Sequence, residues 1–292
     1  MSAKKVTQYE TAKAFRTALE TRINSTHKAN GTPIGRIRKQ ISFDRLLARL
    51  FAQKPSPWLL KGGYAMQLRL VNSRATKDID LAMRDFKPTG GADIGIELLG
   101  YLQQQITGNA VEDYFEFRIS GPIFDIEAAP YGGARYLVEA RVDDRTFEKF
   151  HLDIGIGDVW MDQIDQLKSN SWLSFAGFTD EVYPAVPREQ QFAEKLHAYT
   201  VPRGAGINNT RVKDLVDMVL LVTSGALDRD RLIQAIDATF KWRGTHSFDA
   251  NLIAQGSDWN GPFARLASEC GLSPDIAAGF KLVQEFARTL SP

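Results

Sequence analysis

Cysteine is almost absent. Cys270 stands alone among 292 residues, which excludes an intramolecular disulfide and fits a reducing cytoplasm. Long apolar runs are missing too: nothing approaches the roughly 20 consecutive apolar residues that a membrane helix needs. The polar start over residues 1–5 leads into no apolar signal core, so a cytoplasmic location is the expectation. Internal repeats, heptad arrays and low-complexity tracts are also lacking, which argues against solenoids and coiled coils. Net charge nearly vanishes, at +1.

What the chain does have is an uneven distribution of that charge. Residues 1–77 hold 16 Lys/Arg against 3 Asp/Glu, whereas residues 78–165 hold 7 against 18. Two readings stand. A basic N-terminal third is a footprint for nucleic acid or phosphates, or it neutralises the acidic stretch within the same fold. Hydrophobic content of 43% and charged content of 24% are ordinary for a globular protein. A chain of this length implies one large or two modest domains.

The sequence is organised around Lys61-Gly62-Gly63-Tyr64 and Arg74-Ala75-Thr76-Lys77-Asp78-Ile79-Asp80. Trp58-Leu59-Leu60 reads as a short strand stopped by the paired glycines. Residues 64–71 then have helical spacing, with Ala65, Met66 and Leu68 on the buried side. A second strand carries Asp78 and Asp80. Side chains two apart on a strand point the same way, so both carboxylates project from one face. Like charges that close repel, and a divalent cation such as Mg²⁺, which takes hard oxygen ligands, removes the repulsion. The Gly62-Gly63 amides at a helix start suit phosphate oxygens. These parts imply a site for a metal-bound nucleoside triphosphate.

Upstream, residues 8–24 read as an amphipathic helix with Ala12, Phe15, Leu19 and Ile23 on one side. A polar loop over 24–35 and the basic stretch Arg36-Ile37-Arg38-Lys39 follow. Ser42 is the expected N-cap of a helix whose Phe43, Leu46, Leu47, Leu50 and Phe51 form the apolar stripe. Arg36, Arg38, Arg45 and Arg49 are expected to solvate a helix face rather than bind RNA. Downstream come a Pro/Gly loop at 87–91, a helix over 94–105 and strands over 114–119 and 123–128. Gly132-Gly133 is expected to be a plain turn before a hairpin. Asp143-Asp144 form its tip, and the return strand covers 147–156. On that strand Phe150, Leu152, Ile154 and Ile156 share one side, which leaves His151 and Asp153 on the other.

Pro184 and Pro187 mark a boundary beyond which everything reads as helix. Phe192, Leu196 and Tyr199 define the apolar side of the first helix, and Lys195 leans toward it. A buried ammonium needs an anionic partner: Glu194 or Asp214 on a structural reading, nucleotide phosphates on a functional one. A polar loop over 201–209 precedes a helix with Val212, Leu215, Val216, Val219 and Leu220 in register, flanked by Arg211 and Asp214. Three or four further helices follow residue 228. The last is expected to start at Ser273-Pro274, with Ala277, Phe280, Val283, Ala287 and Leu290 as its stripe. Trp242, Phe248, Trp259 and Phe263 read as core rather than as base-stacking platforms.

The Gly-rich turn, short helix and Asp-x-Asp resemble the core motif of the nucleotidyltransferase (polymerase-β-like) superfamily. Lys-Gly-Gly before the Asp pair is similar to the first signature of the AbiEii/AbiGii-type toxins. Glu194-Lys195 followed by Thr210-Arg211-Val212-Lys213-Asp214-Leu215-Val216-Asp217 is similar to the second. One departure is plain. Where the superfamily usually has Gly-Ser, Gly63 stands here, so a hydroxyl contact to phosphate is replaced by backbone amides alone.

The resemblance implies an α+β fold: a mixed-sheet nucleotidyltransferase domain with N-terminal helices over 1–183, then a helical domain over 184–292 that closes the nucleotide cleft. It implies Asp153 as a third carboxylate, metal ligand or base, with Asp158 the alternative if the register slips. One or two Mg²⁺ ions would be held by Asp78, Asp80 and Asp153. The triphosphate would meet Lys61, Gly62, Gly63, Thr76 and Lys77, with Lys195 and Arg211 contributing from the helical half. Lys195 and Asp214 would join the catalytic set, the role of Asp214 being open. Thr76, on the same side as the carboxylates by alternation, is also where a phosphoryl group would repel the substrate. The implied reaction moves NMP from an NTP to an RNA acceptor, with tRNA 3′ ends the leading candidate, in a toxin whose antitoxin is encoded separately. The alternatives are transfer to a small molecule or protein, and a non-catalytic nucleotide-binding scaffold. The intact Asp78/Asp80 pair speaks against the scaffold.

Overall fold

The computed structural model describes residues 8–84, 86, 93–108, 111, 113–125, 132–159, 161–204, 208–254 and 257–290. The expected loop at 87–91 lies outside them, as do 126–128 of the second expected strand and 205–207 of the loop over 201–209. The chain forms two compact units. The first comprises Met1–Tyr64, Ala75–Asp158 and Gln166–Ala185; the second comprises Ala65–Arg74, Val159–Asp165 and Val186–Pro292. Among the described residues no helix is long and apolar enough to cross a membrane.

The first unit is built on one mixed sheet of seven strands: β1 (Trp58–Lys61), β2 (Asp78–Met83), β3 (Phe115–Asp125), β4 (Gly133–Val142), β5 (Arg145–Ile156), β6 (Asp165–Lys168) and β7 (Val182–Ala185). Their order is β3-β4-β5-β2-β1-β7-β6. β2 runs parallel to β5 and antiparallel to β1, while β3, β4 and β5 form an antiparallel meander. Helices α1 (Ala12–Asn30), α2 (Ile34–Leu50) and α4 (Ile94–Gly108) accompany the sheet, and α3 (Gly62–Arg69) joins β1 to the segment before β2. This is the α+β architecture the resemblance implied. The alternation on β5 decides what each sheet face carries. Phe150, Leu152 and Ile154 are buried, and Phe150 packs edge-on against Phe43 of α2 with ring centroids 4.9 Å apart. Their neighbours His151 and Asp153 therefore emerge on the opposite face.

The hairpin of β4 and β5 turns at Asp143 and Asp144, both in left-handed conformation with φ of 53° and 55°. Two successive positive φ values match the twist of the flanking strands, and Asp tolerates them better than most residues. One step from the turn, the register shifts. Arg141 pairs with Thr146 but Ala140 pairs with Glu148, so Phe147 is an extra residue, a β-bulge.

Some expectations change. Ser42 does not start a helix: α2 begins at Ile34, and Ser42 lies fully buried inside it. The basic stretch ahead of Ser42 is helical because Arg, Lys and Gln favour helices, and Ile37 and Ile41 extend the apolar stripe by another turn. α1 likewise starts at a Thr11 cap and runs on to Asn30. The two strands expected near 114–128 are one, β3, whose pairing is irregular around Pro122, a residue with no N–H to give the ladder. The last helix, α9 (Ile276–Arg288), is capped by Asp275 rather than Ser273, its carboxylate accepting from the Ala277 amide at 2.9 Å. Trp242 is about half exposed and stands outside the core, whereas Trp259 and Phe263 are buried in it.

Structure also shows where much of the N-terminal positive charge goes. Arg45 and Arg49 converge on the buried Asp113 at 2.6 and 2.7 Å. Lys39 reaches Glu148 at 3.3 Å, and Lys61 pairs with Asp158. The reading in which the basic third neutralises the acidic stretch accounts for these residues.

The second unit holds α5 (Arg188–Thr200), α6 (Val212–Thr223), α7 (Arg229–Arg243), α8 (Asn260–Glu269) and α9. Its core includes Phe192, Leu196, Leu215, Met218, Leu232, Phe263 and Val283. The division between units falls inside α3: Gly62 to Tyr64 belong with the sheet, and Met66 joins the helical core.

Asp44 of α2 is buried and accepts a hydrogen bond from the Tyr64 hydroxyl at 2.6 Å. Burial raises its carboxyl to about 7, against the lowering effect of the Tyr64 bond and Arg45. A folded-state pKa above the unfolded one means that the folded protein holds the extra proton between about pH 4 and 7. The stability associated with that proton is full below pH 4 and lost as pH rises through 7. Asp44→Asn should therefore flatten the decline of stability across this window by on the order of a few kcal/mol, seen as a shallower fall of melting temperature with pH. Thermal melts of both proteins from pH 4 to 8 check it, and parallel curves would remove Asp44 as the cause.

Candidate active site

Four charged residues occupy one transverse row of the first unit's sheet. Lys61 on β1 stands opposite Asp80 on β2, Asp80 opposite Asp153 on β5, and Asp153 opposite Arg135 on β4. The neighbouring row places Asp78 opposite His151. Strand pairing thus brings Asp78, Asp80 and Asp153 onto the same face, although β2 and β5 are far apart in sequence. Asp158 is a partner of Lys61 instead, and the two are in direct contact.

These carboxylates are not left facing one another unaided. Arg135 grips Asp153 through two hydrogen bonds, Nε to Oδ1 at 2.6 Å and Nη2 to Oδ2 at 2.5 Å. The same Nη2 lies 3.9 Å from Asp78 Oδ2. The pKa of Arg135 is raised first by the hydrogen bonds it donates to Asp153, with the charges of Asp153, Asp78 and Asp80 adding to it against the effect of burial. His151 Nδ1 contacts Asp78 Oδ1 at 3.2 Å, while its ring is 40% exposed. Both His151 and Arg135 belong to the site's surroundings. His151 lies on the face of Asp153 that the alternation on its strand gives it, and Arg135 was not singled out.

The glycine pair has a steric reason as well as an electrostatic one. Gly62 adopts φ of +65°, and a Cβ there would stand 1.8 Å from Asp80 Oδ2. At Gly63 a Cβ would meet Thr76 Oγ1 at 2.7 Å. No side chain fits at Gly62 without moving a carboxylate of the row, and the left-handed backbone excludes most residues independently. The Gly63 amide points at Asp80 Oδ2, 3.4 Å away. The Thr76 hydroxyl donates to the Asp78 carbonyl at 3.2 Å and lies beside Gly63. Lys77 is exposed.

Among the described residues, no group of three or more His, Cys, Asp or Glu side chains forms a ready-made metal cage. The donor set nevertheless fits Mg²⁺, which is ordinarily held by one or two carboxylates together with water and substrate phosphate oxygens. Asp78 and Asp80 supply two hard carboxylates on one face, and Asp153 a third that Arg135 now holds.

The second signature forms its own cluster within the second unit. Lys195 of α5 donates to Asp217 at 2.7 Å and to Asp214 at 3.1 Å, both on α6. Arg74 binds Asp217 through Nε and Nη2, each at 2.8 Å. Asp217 is fully buried and Lys195 is 8% exposed. Burial works against charge on both. The neighbouring carboxylates outweigh it and raise the Lys195 pKa, while Lys195 and Arg74 lower that of Asp217. Arg211, nearly half exposed, lies 3.8 Å from Asp214. Of the two partners expected for Lys195, Asp214 is present; Asp217, not among them, is the more buried anchor.

The family model for the nucleotidyl transferase AbiEii toxin of type IV toxin–antitoxin systems matches residues 45–278. No curated protein matches the chain. Among solved structures, the nucleotidyltransferase toxin MenT4 from Mycobacterium tuberculosis H37Rv is similar with a TM-score of 0.55 at 16% identity, covering 94% of this chain and 89% of that one. JHP933 from Helicobacter pylori gives a TM-score of 0.47 at 14% identity, covering 87% of this chain and 91% of its own. Identities this low speak to the fold, and MenT4 shares it. The family match encloses the Asp pair, Asp153 and the whole of the second signature. With that span matched, the chain belongs to the AbiEii family of nucleotidyltransferase toxins of type IV toxin–antitoxin systems.

Proposed function

We propose that this nucleotidyltransferase is Mg²⁺-dependent and transfers a nucleoside monophosphate from an NTP to an RNA hydroxyl, with the 3′ end of tRNA as the acceptor. The observation that carries the metal and triphosphate reading is the convergence of Asp78, Asp80 and Asp153 on one sheet face beside Gly62 and Gly63. The RNA acceptor, and a separately encoded antitoxin as partner, rest on membership of the family.

In this reading Asp78 and Asp80 hold the ion, and Asp153 either completes its ligands or takes the proton of the attacking hydroxyl. When bound, the ion supplies charge stabilisation to the phosphates undergoing transfer. The acceptor oxygen attacks the α-phosphorus, the bond to the β-phosphate bridging oxygen breaks, and pyrophosphate leaves with the charge. The amides of Gly62 and Gly63, with Lys61, Thr76 and Lys77 nearby in sequence, position the triphosphate. Lys195, Arg211 and Asp214 contribute from the second signature. An ammonium has three N–H bonds; Asp214 and Asp217 accept two, and in this reading Lys195 turns the third to a phosphate oxygen. Asp214 orients Lys195 and Arg211.

Incubation with tRNA, Mg²⁺ and each labelled NTP should yield labelled RNA, and excess chelator should abolish it. Asp80→Asn, which removes charge but little volume, should lower transfer on the order of a hundredfold or more with an unchanged melting temperature. Full activity in the variant, or in chelator, would reject the metal reading.

For Lys195→Ala two measurements are needed. Removing the ammonium leaves the buried Asp217 with Arg74 alone, and stability should drop by about 3–5 kcal/mol. NTP affinity, measured where the variant is still folded, should fall as well. A large loss of stability with normal NTP binding would take Lys195 out of the nucleotide site and leave it a counter-ion of the helical core.

A further inference from the structure

The row of four charges has a symmetry that substrate binding alone does not explain. Two carboxylates, Asp80 and Asp153, stand between two cations, Lys61 and Arg135. Lys61 is engaged by Asp158, off the row. Arg135 is engaged by the row itself: it holds both oxygens of Asp153 and reaches an oxygen of Asp78. It therefore holds one of the three carboxylates gathered on this face and lies 3.9 Å from a second.

We infer that Arg135 is a resident counter-cation that opposes divalent ion binding until a triphosphate arrives to give its guanidinium another anion. This rests on the metal-site reading above. The physical basis is competition. A guanidinium binding a carboxylate bidentately is among the stronger charge-assisted pairs, so Asp153 cannot turn to an ion without losing those bonds. A positive charge within about 4 Å of a carboxylate ligand also repels an incoming dication directly. Arg135 is 27% exposed along its side chain, so part of the guanidinium-bearing chain borders solvent, where an incoming triphosphate arrives. A triphosphate presents the planar guanidinium with the kind of oxygens it already grips. The ion and the nucleotide then bind as one unit, each weak without the other. Arg135 is on this account a positioning residue for substrate and an inhibitor of the ion alone.

The experiment is a calorimetric titration with Mn²⁺ alone and then with Mn²⁺–tripolyphosphate, on wild type, Arg135→Gln and Arg135→Lys. Loss of the charge should tighten binding of Mn²⁺ alone by about tenfold or more and weaken binding of Mn²⁺–tripolyphosphate by about fivefold or more. Arg135→Lys, which keeps the charge but cannot grip both oxygens, should fall between wild type and Gln for Mn²⁺ alone. If the Gln variant does not fold, this Lys variant decides by itself: Mn²⁺ binding tighter than wild type supports the inference, and equal or weaker binding overturns it. In Arg135→Gln, unchanged or weaker Mn²⁺ affinity overturns it too, as does undiminished binding of the tripolyphosphate complex. Asp80→Asn separates this inference from the reading beneath it. If Mn²⁺ binds that variant as well as wild type, the carboxylate site itself is wrong and both fall. If Asp80→Asn abolishes Mn²⁺ binding while Arg135→Gln leaves it unchanged, only the role of Arg135 falls.

Discussion

Repulsion among carboxylates gathered on one face of a sheet is the constraint to which the first unit is built. Asp78, Asp80 and Asp153 come together because β2 and β5 are parallel neighbours, and such an array is costly unless cations neutralise it. Arg135 does so from β4, and the Gly63 amide faces Asp80 from α3. The opposite face bears no such tension. There Phe43, Phe150 and the buried aliphatic residues of β2 and β5 pack as an ordinary core. One sheet thus carries a packed side that fixes the strands and a charged side that those strands hold in place.

The second unit solves a related problem by burial. Lys195, Arg74, Asp214 and Asp217 carry two charges of each sign, and Asp217 is completely enclosed. A buried pair of this kind seldom adds net stability relative to an apolar replacement, but breaking it is costly because a lone charge is left behind. The residues that look most like a catalytic signature are therefore also residues the helical core requires. Loss of activity on mutating them carries little meaning without a measurement of stability beside it.

Much of this was legible in the amino-acid sequence. The spacing of Asp78 and Asp80, the alternation that puts His151 and Asp153 opposite the apolar side of β5, and the hairpin tip at Asp143-Asp144 all follow from the two-residue period of a strand. What could not be read was pairing across strands. Nothing in the run from Gly132 to Val142 distinguishes Arg135 from any other polar residue between apolar ones, because its significance comes from which residue stands opposite. Helix starts were likewise misread: Ser42 looks like a cap but lies buried inside α2, and Ser273, ahead of α9, yields its expected role to Asp275. Charge asymmetry between segments was visible, but its resolution through Arg45, Arg49 and Asp113 needed the fold.

The bulge at Phe147 has a bearing on the site that its position near the hairpin tip conceals. On the turn side of the bulge, Val142 pairs with Arg145 and Arg141 with Thr146. Carried onward without the extra residue, that pairing would set Arg135 against Leu152 rather than Asp153. Since a slip of one residue exchanges the two faces of a strand, the guanidinium would then stand beside an aliphatic side chain and Asp153 would lose its partner. An insertion or deletion at this exposed tip would thus act on the charged row from a distance, by changing the parity of the strand that delivers Asp153. The hairpin tip, which makes no contact with the carboxylates, is in this sense part of the machinery that assembles them.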